Sequence, residues 1–236
     1  MQKYTTSTTF TAPEDGWFKI IIAGRGGNGG RSDSRWGKST AINMGAGGGS
    51  PGCAVSEIAL QQGESVRITI EGYNCSCVIK DISMQATKGG DGKTASTTAS
   101  TTAENGGDGG KSSGGNKHNY EGIRGVKSGA QEQSRDYSYT STVYGRKGGQ
   151  LNVDGYSFYG GTGGGGTLVA VEGNSNGVRV WNREVSPSGG SAPICIILRG
   201  NTNIPLDMQN ARDITANALA ITALAQEQTT LLLSQK

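Results

Sequence analysis

Apolar side chains occupy almost every position from Trp17 to Ala23, with Phe18, Ile20 and Ile22 on one side of an extended chain and Trp17, Lys19 and Ile21 on the other. The pattern predicts a strand whose first face is core. Phe10 and Thr11 precede it across Ala12-Pro13-Glu14-Asp15-Gly16, a turn by composition. Val55, Ile58 and Leu60 begin a second strand, Gln61-Gln62-Gly63-Glu64 turns the chain, and Val66, Ile68 and Ile70 then alternate with Arg67, Thr69 and Glu71. That alternation is the clearest signature of a half-buried strand in the sequence.

From Cys75 to Ala86 one strand-like segment carries Cys77, Ile79 and Met84. Thr167 to Val171 reads as a strand, with Leu168 and Ala170 opposite Val169 and Val171; the turn Gly173-Asn174-Ser175-Asn176-Gly177 then leads into Val178, Val180 and Trp181. Ile194-Cys195-Ile196-Ile197-Leu198 is apolar on both faces, which predicts a central strand, and Arg199-Gly200 closes the sheet.

Beyond Asn203 the period changes. Pro205 and Asp207 suit a helix start, and neither Gly nor Pro recurs before Lys236. A helix is predicted from about Leu206 to Leu233, with Ile214, Ala218, Ile221, Leu224, Ala225, Leu231 and Leu232 recurring at three and four while Asn217 and Gln228 interrupt the seam. The chain thus divides into a β domain over residues 1–200 and a helix over 201–236. A stripe on so long a helix outreaches what a small β core can cover, so it is expected to serve attachment or oligomerisation.

Glycine changes the picture of what lies between the strands. There are 41 in 236 residues, gathered at 24–30, 45–49, 89–92, 106–115, 145–149 and 160–166. In the first block Gly24, Gly27 and Gly30 recur at a spacing of three, as do Gly26 and Gly29, which is the turn of a polyproline II-type helix. Such a helix has no internal hydrogen bonds and needs neighbours for its backbone groups, and only Gly permits the close approach. The competing expectation is a set of flexible linkers. Polar segments separate the blocks: Thr94 to Thr102, and Gln131 to Tyr144, which holds Tyr137, Tyr139 and Tyr144. Tyrosine offers apolar area and a hydroxyl at low entropic cost, so these three are the candidate receptor-contacting residues; packing on their own sheet is the alternative.

The order of these features carries a resemblance. An aromatic before Thr11-Ala12-Pro13-Glu14-Asp15-Gly16, a strand, Gly26-Gly27-Asn28-Gly29-Gly30, a second Gly cluster, a strand, a Gly-containing turn and a strand resemble, over about residues 8–200, the glycine-rich domain of bacteriophage tail and receptor-binding proteins. A more distant similarity is to the glycine-rich extracellular region of the anaplastic lymphoma kinase receptor. The resemblance implies a mainly β fold, a jelly-roll-like β-sandwich with polyglycine II-type inserts.

Composition narrows the chemistry. Hydrophobic residues are 33% and aromatics 6%, a small core with solvated inserts. A net charge of +3 gives no long-range field for nucleic acid or an acidic membrane, and no apolar run reaches the length of a span. Neither nucleic-acid binding nor membrane insertion is expected. Cys53, Cys75, Cys77 and Cys195 are too few and too irregular for a disulfide framework and read as free thiols. A zinc site would have to draw on them and His118, with a tight C-x-C and no second close pair. Gly37-Lys38-Ser39-Thr40 imitates a phosphate loop, but Ser32 stands where that loop requires Gly, and residues 41–52 are too glycine-rich for the helix that should follow. The sole histidine, His118, lies in a polar Gly-rich stretch without a nucleophile elbow. A single Arg25-Gly26-Gly27 triplet lacks the interleaved aromatics of RNA-binding repeats.

No enzyme activity, metal or cofactor is therefore expected. The expected function is that of a structural virion protein of a bacteriophage tail, baseplate or fibre, or of a related contractile particle, made in the host cytoplasm. It would contact other tail proteins and copies of itself. The alternative is an adhesin whose loops bind a host surface glycan or protein directly. An extracellular receptor module is disfavoured because neither a signal-peptide core nor paired cysteines are seen.

Overall fold

Ile20, Ile21 and Ile22 are all fully buried, so the strand that carries them is covered on both faces. The computed structural model describes residues 1–32, 41–95, 105–132, 140–143, 145–171, 179–200, 210, 214, 217–224 and 226. It is mainly β, with five antiparallel sheets. The strands are β1 (Gln2–Tyr4), β2 (Thr8–Thr11), β3 (Gly16–Ala23), β4 (Ala41–Met44), β5 (Cys53–Leu60), β6 (Ser65–Glu71), β7 (Asn74–Ile79), β8 (Ile82–Ala86), β9 (Ser112–Ser113), β10 (His118–Tyr120), β11 (Gly129–Glu132), β12 (Thr140–Val143), β13 (Gln150–Val153), β14 (Tyr156–Tyr159), β15 (Gly165–Val171), β16 (Arg179–Val185) and β17 (Ile194–Arg199).

Two five-stranded sheets, β1-β17-β3-β5-β10 and β2-β6-β7-β8-β9, face each other. Phe18, Ile20 and Ile22 of β3, with Cys195 and Ile197 of β17, meet Phe10, Val66, Ile68, Cys77 and Met84 of the opposite sheet in one buried cluster. Phe10 and Phe18 touch edge to face, with centroids 5.6 Å apart. The apolar strand Ile194–Leu198 is interior, paired with β1 on one side and β3 on the other.

The apolar pattern alone makes the second face of β3, with Trp17, Lys19 and Ile21, the poorer core candidate. The hairpin β13–β14 reverses this by bringing Leu151, Val153 and Phe158 over Ile21, Val55 and Ile196 as a second core. Each buried isoleucine contributes on the order of 1.5–3 kcal/mol relative to exposure. Lys19, flanked by these residues, reaches Asp154 of the hairpin turn at 3.1 Å and Glu57 of β5 at 3.4 Å. The hydrogen bond that the Lys19 ammonium donates to the Asp154 carboxylate is the main reason that this ammonium is held above the usual lysine range, with burial opposing.

The segment Cys75 to Ala86, read as one strand, is two. Lys80 adopts φ 51° in the two-residue turn between β7 and β8, and Ile79 faces Ile82 across it. Among the described residues of the tail, 217–224 are helical and exposed.

Candidate functional site

Sheet pairing passes directly into the glycine segments. Ala23 faces Cys53 at the end of the β3–β5 ladder, and the next residues, Gly24 and Gly52, continue it with a hydrogen bond of 3.3 Å. Ala86 faces Ser112, and Thr87 N–H donates to Lys111 C=O at 2.8 Å. Gln150 faces Tyr159, and Gly160 N–H donates to Gly149 C=O at 2.9 Å. The strand ladders therefore continue into the glycine segments and hold their bases in place.

Eight such segments lie side by side: 24–32, 45–52, 87–95, 106–111, 121–127, 145–149, 160–164 and 188–191. The second is central. Its N–H groups at 45 and 48 donate to the seventh segment, those at 46, 49 and 52 to the third, and those at 47 and 50 to the fifth. Its carbonyls at 46, 49 and 52 accept from the first segment, those at 47 and 50 from the fourth, and those at 45 and 48 from the sixth. Six neighbours thus surround one segment, and every contact recurs at a spacing of three. The ring closes on itself in chain order, since first–third, third–fourth, fourth–fifth, fifth–sixth, sixth–seventh and seventh–first are each hydrogen-bonded. The eighth segment lies outside, against the first and seventh. The two period-three rows of the first block separate accordingly: Gly24, Gly27 and Gly30 donate to the centre, and Gly26 and Gly29 to the eighth segment.

Close approach is what requires glycine here. A Cβ on Gly49 would lie 2.5 Å from Asp108 C and 2.7 Å from Gly107 O, and nearer still to Asp108 O. Comparable backbone collisions meet a Cβ at Gly27, Gly107, Gly160 and Gly163. Pro51, which has no N–H, lies fully buried in the same central segment after the last donors to the fifth and seventh segments have been used.

Direction follows from the pairing. The first, third, fifth and seventh segments leave β3, β8, β10 and β14 and run away from the paired sheets; the second, fourth, sixth and eighth return to β5, β9, β13 and β17. All four connections accordingly depart from and re-enter the same far end. The small sheets β4–β11 and β12-β15-β16 stand there. Tyr137, Tyr139 and Tyr144 fall on the third of these connections and lie outside the described residues, as do 96–102 of the segment Thr94 to Thr102. β17 runs in the opposite sense, antiparallel to β3, so Arg199-Gly200 and the helical tail emerge at the end remote from the connections. Ile214, Ile221 and Leu224 are 69%, 67% and 59% exposed, Ala218 is exposed beside them, and Leu219 adds 67%. Leu231 and Leu232 lie outside the described residues.

The remaining candidates are scattered. Lys38 lies outside the described residues. His118 is exposed on β10, its ring tilted against Tyr120 at 5.4 Å. Cys75, Cys77 and Cys195 share the first core, Cys53 sits in the second, and all four are free. Burial pushes the Cys53 and Cys75 thiols up to about 12, and Cys195 is raised further by its contact with Cys77.

Charge is what whole-chain arithmetic conceals. The eight segments carry Arg25, Arg31, Lys88, Lys93, Lys111, Arg124, Lys127, Arg146 and Lys147 against Asp91, Asp108 and Glu121, a net +6 on a chain whose total is +3. At the base of the bundle Arg25 and Lys88 both lie over the Tyr73 ring, at 4.8 and 5.0 Å. Burial raises the Asp91 carboxyl, but the Lys88 ammonium and the Asn28 N–H outweigh it and hold it below the usual range.

No known family model matches the chain. A search of curated proteins returns no match either.

Proposed function

We propose that this is a structural virion protein of a bacteriophage tail, baseplate or fibre, or of a related contractile particle, which displays a jelly-roll-like β-sandwich prolonged by a polyglycine II-type bundle. The observation that carries the reading is the polarity of the molecule. Four connections gather at one end of the bundle, while the helical tail with its uncovered apolar residues departs from the other. A displayed module needs that arrangement: one end to fasten and one to present. The tail, over 201–236, binds other tail proteins or further copies of the chain, and the domain over 1–200 faces outward. The gathering of the connections also favours the adhesin reading, in which Tyr137, Tyr139 and Tyr144 contact a host surface glycan or protein.

The test is a mass-spectrometric census of the particle from which the chain derives, made with the full chain and with a chain ending at Gly200. The full chain should be a stoichiometric virion component and the shortened one should be missing. Absence of the full chain from the particle would refute the assignment. For the second reading, the purified full chain should compete with particles for host cells, and Tyr137→Ala with Tyr139→Ala should abolish the competition.

A further inference from the structure

The stripe of the helical tail follows a heptad. Asn210, Ile214, Asn217, Ile221 and Leu224 recur at alternating steps of four and three, and all five are helical. Gln228 and Leu231 continue the same spacing in the sequence. Ile214 and Ile221 thus occupy one core position of the repeat, and Asn210, Asn217 and Leu224 the other. Every residue from 217 to 224 is exposed, so the β domain leaves all sides of this stretch open. No charged residue occurs from Ile214 to Gln226, which is not the makeup of a helix meant for water on all sides.

Two features select what covers the seam. Asn210 and Asn217 place amides within it, seven residues apart. A buried amide needs a partner that both accepts and donates, and a second copy of the chain in register brings the same amide to the same level. A polar residue at a core position is a register device in coiled coils. The second feature is the lack of charge beside the core, where partners of different sequence are sorted by charge pairs. By the same repeat those flanking positions hold Ala211, Ala218 and Ala225 on one side and Asp213, Ala220 and Glu227 on the other. Between copies that run in the same direction, Asp213 comes beside Ala218 rather than beside an acid, so self-pairing meets no like-charge repulsion there. We propose that the tail pairs with further copies of this chain as a parallel, in-register coiled coil. The proposal rests on the reading that one end of the molecule fastens and the other presents, because only parallel copies put every β domain at the same end.

The experiment uses the purified full chain. Sedimentation equilibrium at roughly 50 μM should give an oligomer. Ile214→Asp with Ile221→Asp should weaken association by about tenfold or more. Leu219→Asp is the control, since Leu219 is 67% exposed, as is Ile221, but stands on the opposite side of the helix. It should leave association within about twofold. Asn217→Cys, oxidised with glutathione disulfide, should link residue 217 of one copy to residue 217 of another, identified by mass spectrometry; the four native thiols are buried. A monomeric full chain, equal losses from the seam and control variants, or no link between the two introduced cysteines would each overturn the proposal. A chain that is monomeric alone yet present in the particle would refute self-pairing and leave the virion assignment standing. That assignment is decided separately, by the census.

Discussion

Substituting Gly49 by alanine isolates the steric demand of the central segment. The new methyl would occupy space held by the backbone of residues 107 and 108, so neither partner can yield by a side-chain rotation. To reach ordinary contact the second and fourth segments must separate by more than an ångström, since the new methyl would stand nearest of all to Asp108 O, well inside van der Waals contact. The two bonds joining them, Gly107 N–H to Gly47 C=O and Gly110 N–H to Ser50 C=O, both at 2.9 Å, are then stretched or broken. Overpacking costs about 1–3 kcal/mol, and two buried backbone bonds cost roughly 1 kcal/mol each. The loss is therefore about 3–5 kcal/mol, a large part of the 5–15 kcal/mol typical of a domain. Gly189 is the internal control, since its Cβ would meet only the ends of Arg25 and Asn28, both at 3.6 Å. Urea unfolding of the full chain should show Gly49→Ala strongly destabilised and Gly189→Ala within about 0.5 kcal/mol of the parent. Amide exchange at Gly107 and Gly110 should accelerate in the first variant alone. Equal effects from the two substitutions, or a Gly49→Ala cost below about 1 kcal/mol, would refute the argument from close approach.

Amides of Gly27, Gly30, Gly107 and Gly110 should exchange slowly in the parent protein, because each donates inside the ring; exchange at solvent rates would dissolve the bundle as described. Lys19 gains its partner on folding, so its contribution is complete below the ordinary lysine value of about 10.4 and is lost as pH rises through the elevated folded one. Lys19→Met should accordingly flatten the alkaline limb of a stability titration; a limb unchanged by the substitution would count against that pairing. The four thiols should resist alkylation at pH 8 in the folded chain and react fully in denaturant, whereas rapid labelling of Cys53 or Cys75 without denaturant would contradict their burial. Ending the chain at Gly200 should leave the paired sheets folded and convert any oligomer to a monomer by light scattering. If that truncated chain unfolds, the helix belongs to the domain's own core.

Strands with a strong apolar signal were legible: β3, β5, β6 and the interior β17 all stand where alternation or a continuous apolar run placed them. The hairpin β13–β14 carries its signal in Asp154-Gly155 flanked by Leu151, Val153, Tyr156 and Phe158, a short run easily lost among the glycine blocks; both turn residues take positive φ, 48° and 80°. Without that hairpin Ile21 would stand on the face of β3 poorer in core. The β7–β8 turn offered a weaker cue, Asp81 alone, because Lys80 rather than Gly or Asn takes the left-handed φ of 51° beside it. The spacing of three in the first block was readable, but the partner of each row was not. Glycine has no side chain with which to encode pairing, so the choice of neighbour is fixed by the strands that feed each segment. The positive charge of the bundle was hidden for a different reason: acidic residues elsewhere in the sequence cancel part of it in the total.

The out-and-back course of the chain has a consequence for how this protein can change. Each excursion starts and finishes on strands of the paired sheets or of the hairpin β13–β14, so each is closed at its base, while β4–β11 and β12–β15 tie the first, third and fourth connections to one another at the far end. Doubling the length of one outside those strands costs only about 0.6 kcal/mol in closure entropy, and the register of the glycine segments, fixed at their bases, is untouched. Variation at the far end of the bundle is in that sense modular. Insertions, deletions and exchanges can accumulate there one loop at a time, while the tightly constrained glycine lattice beneath tolerates almost none.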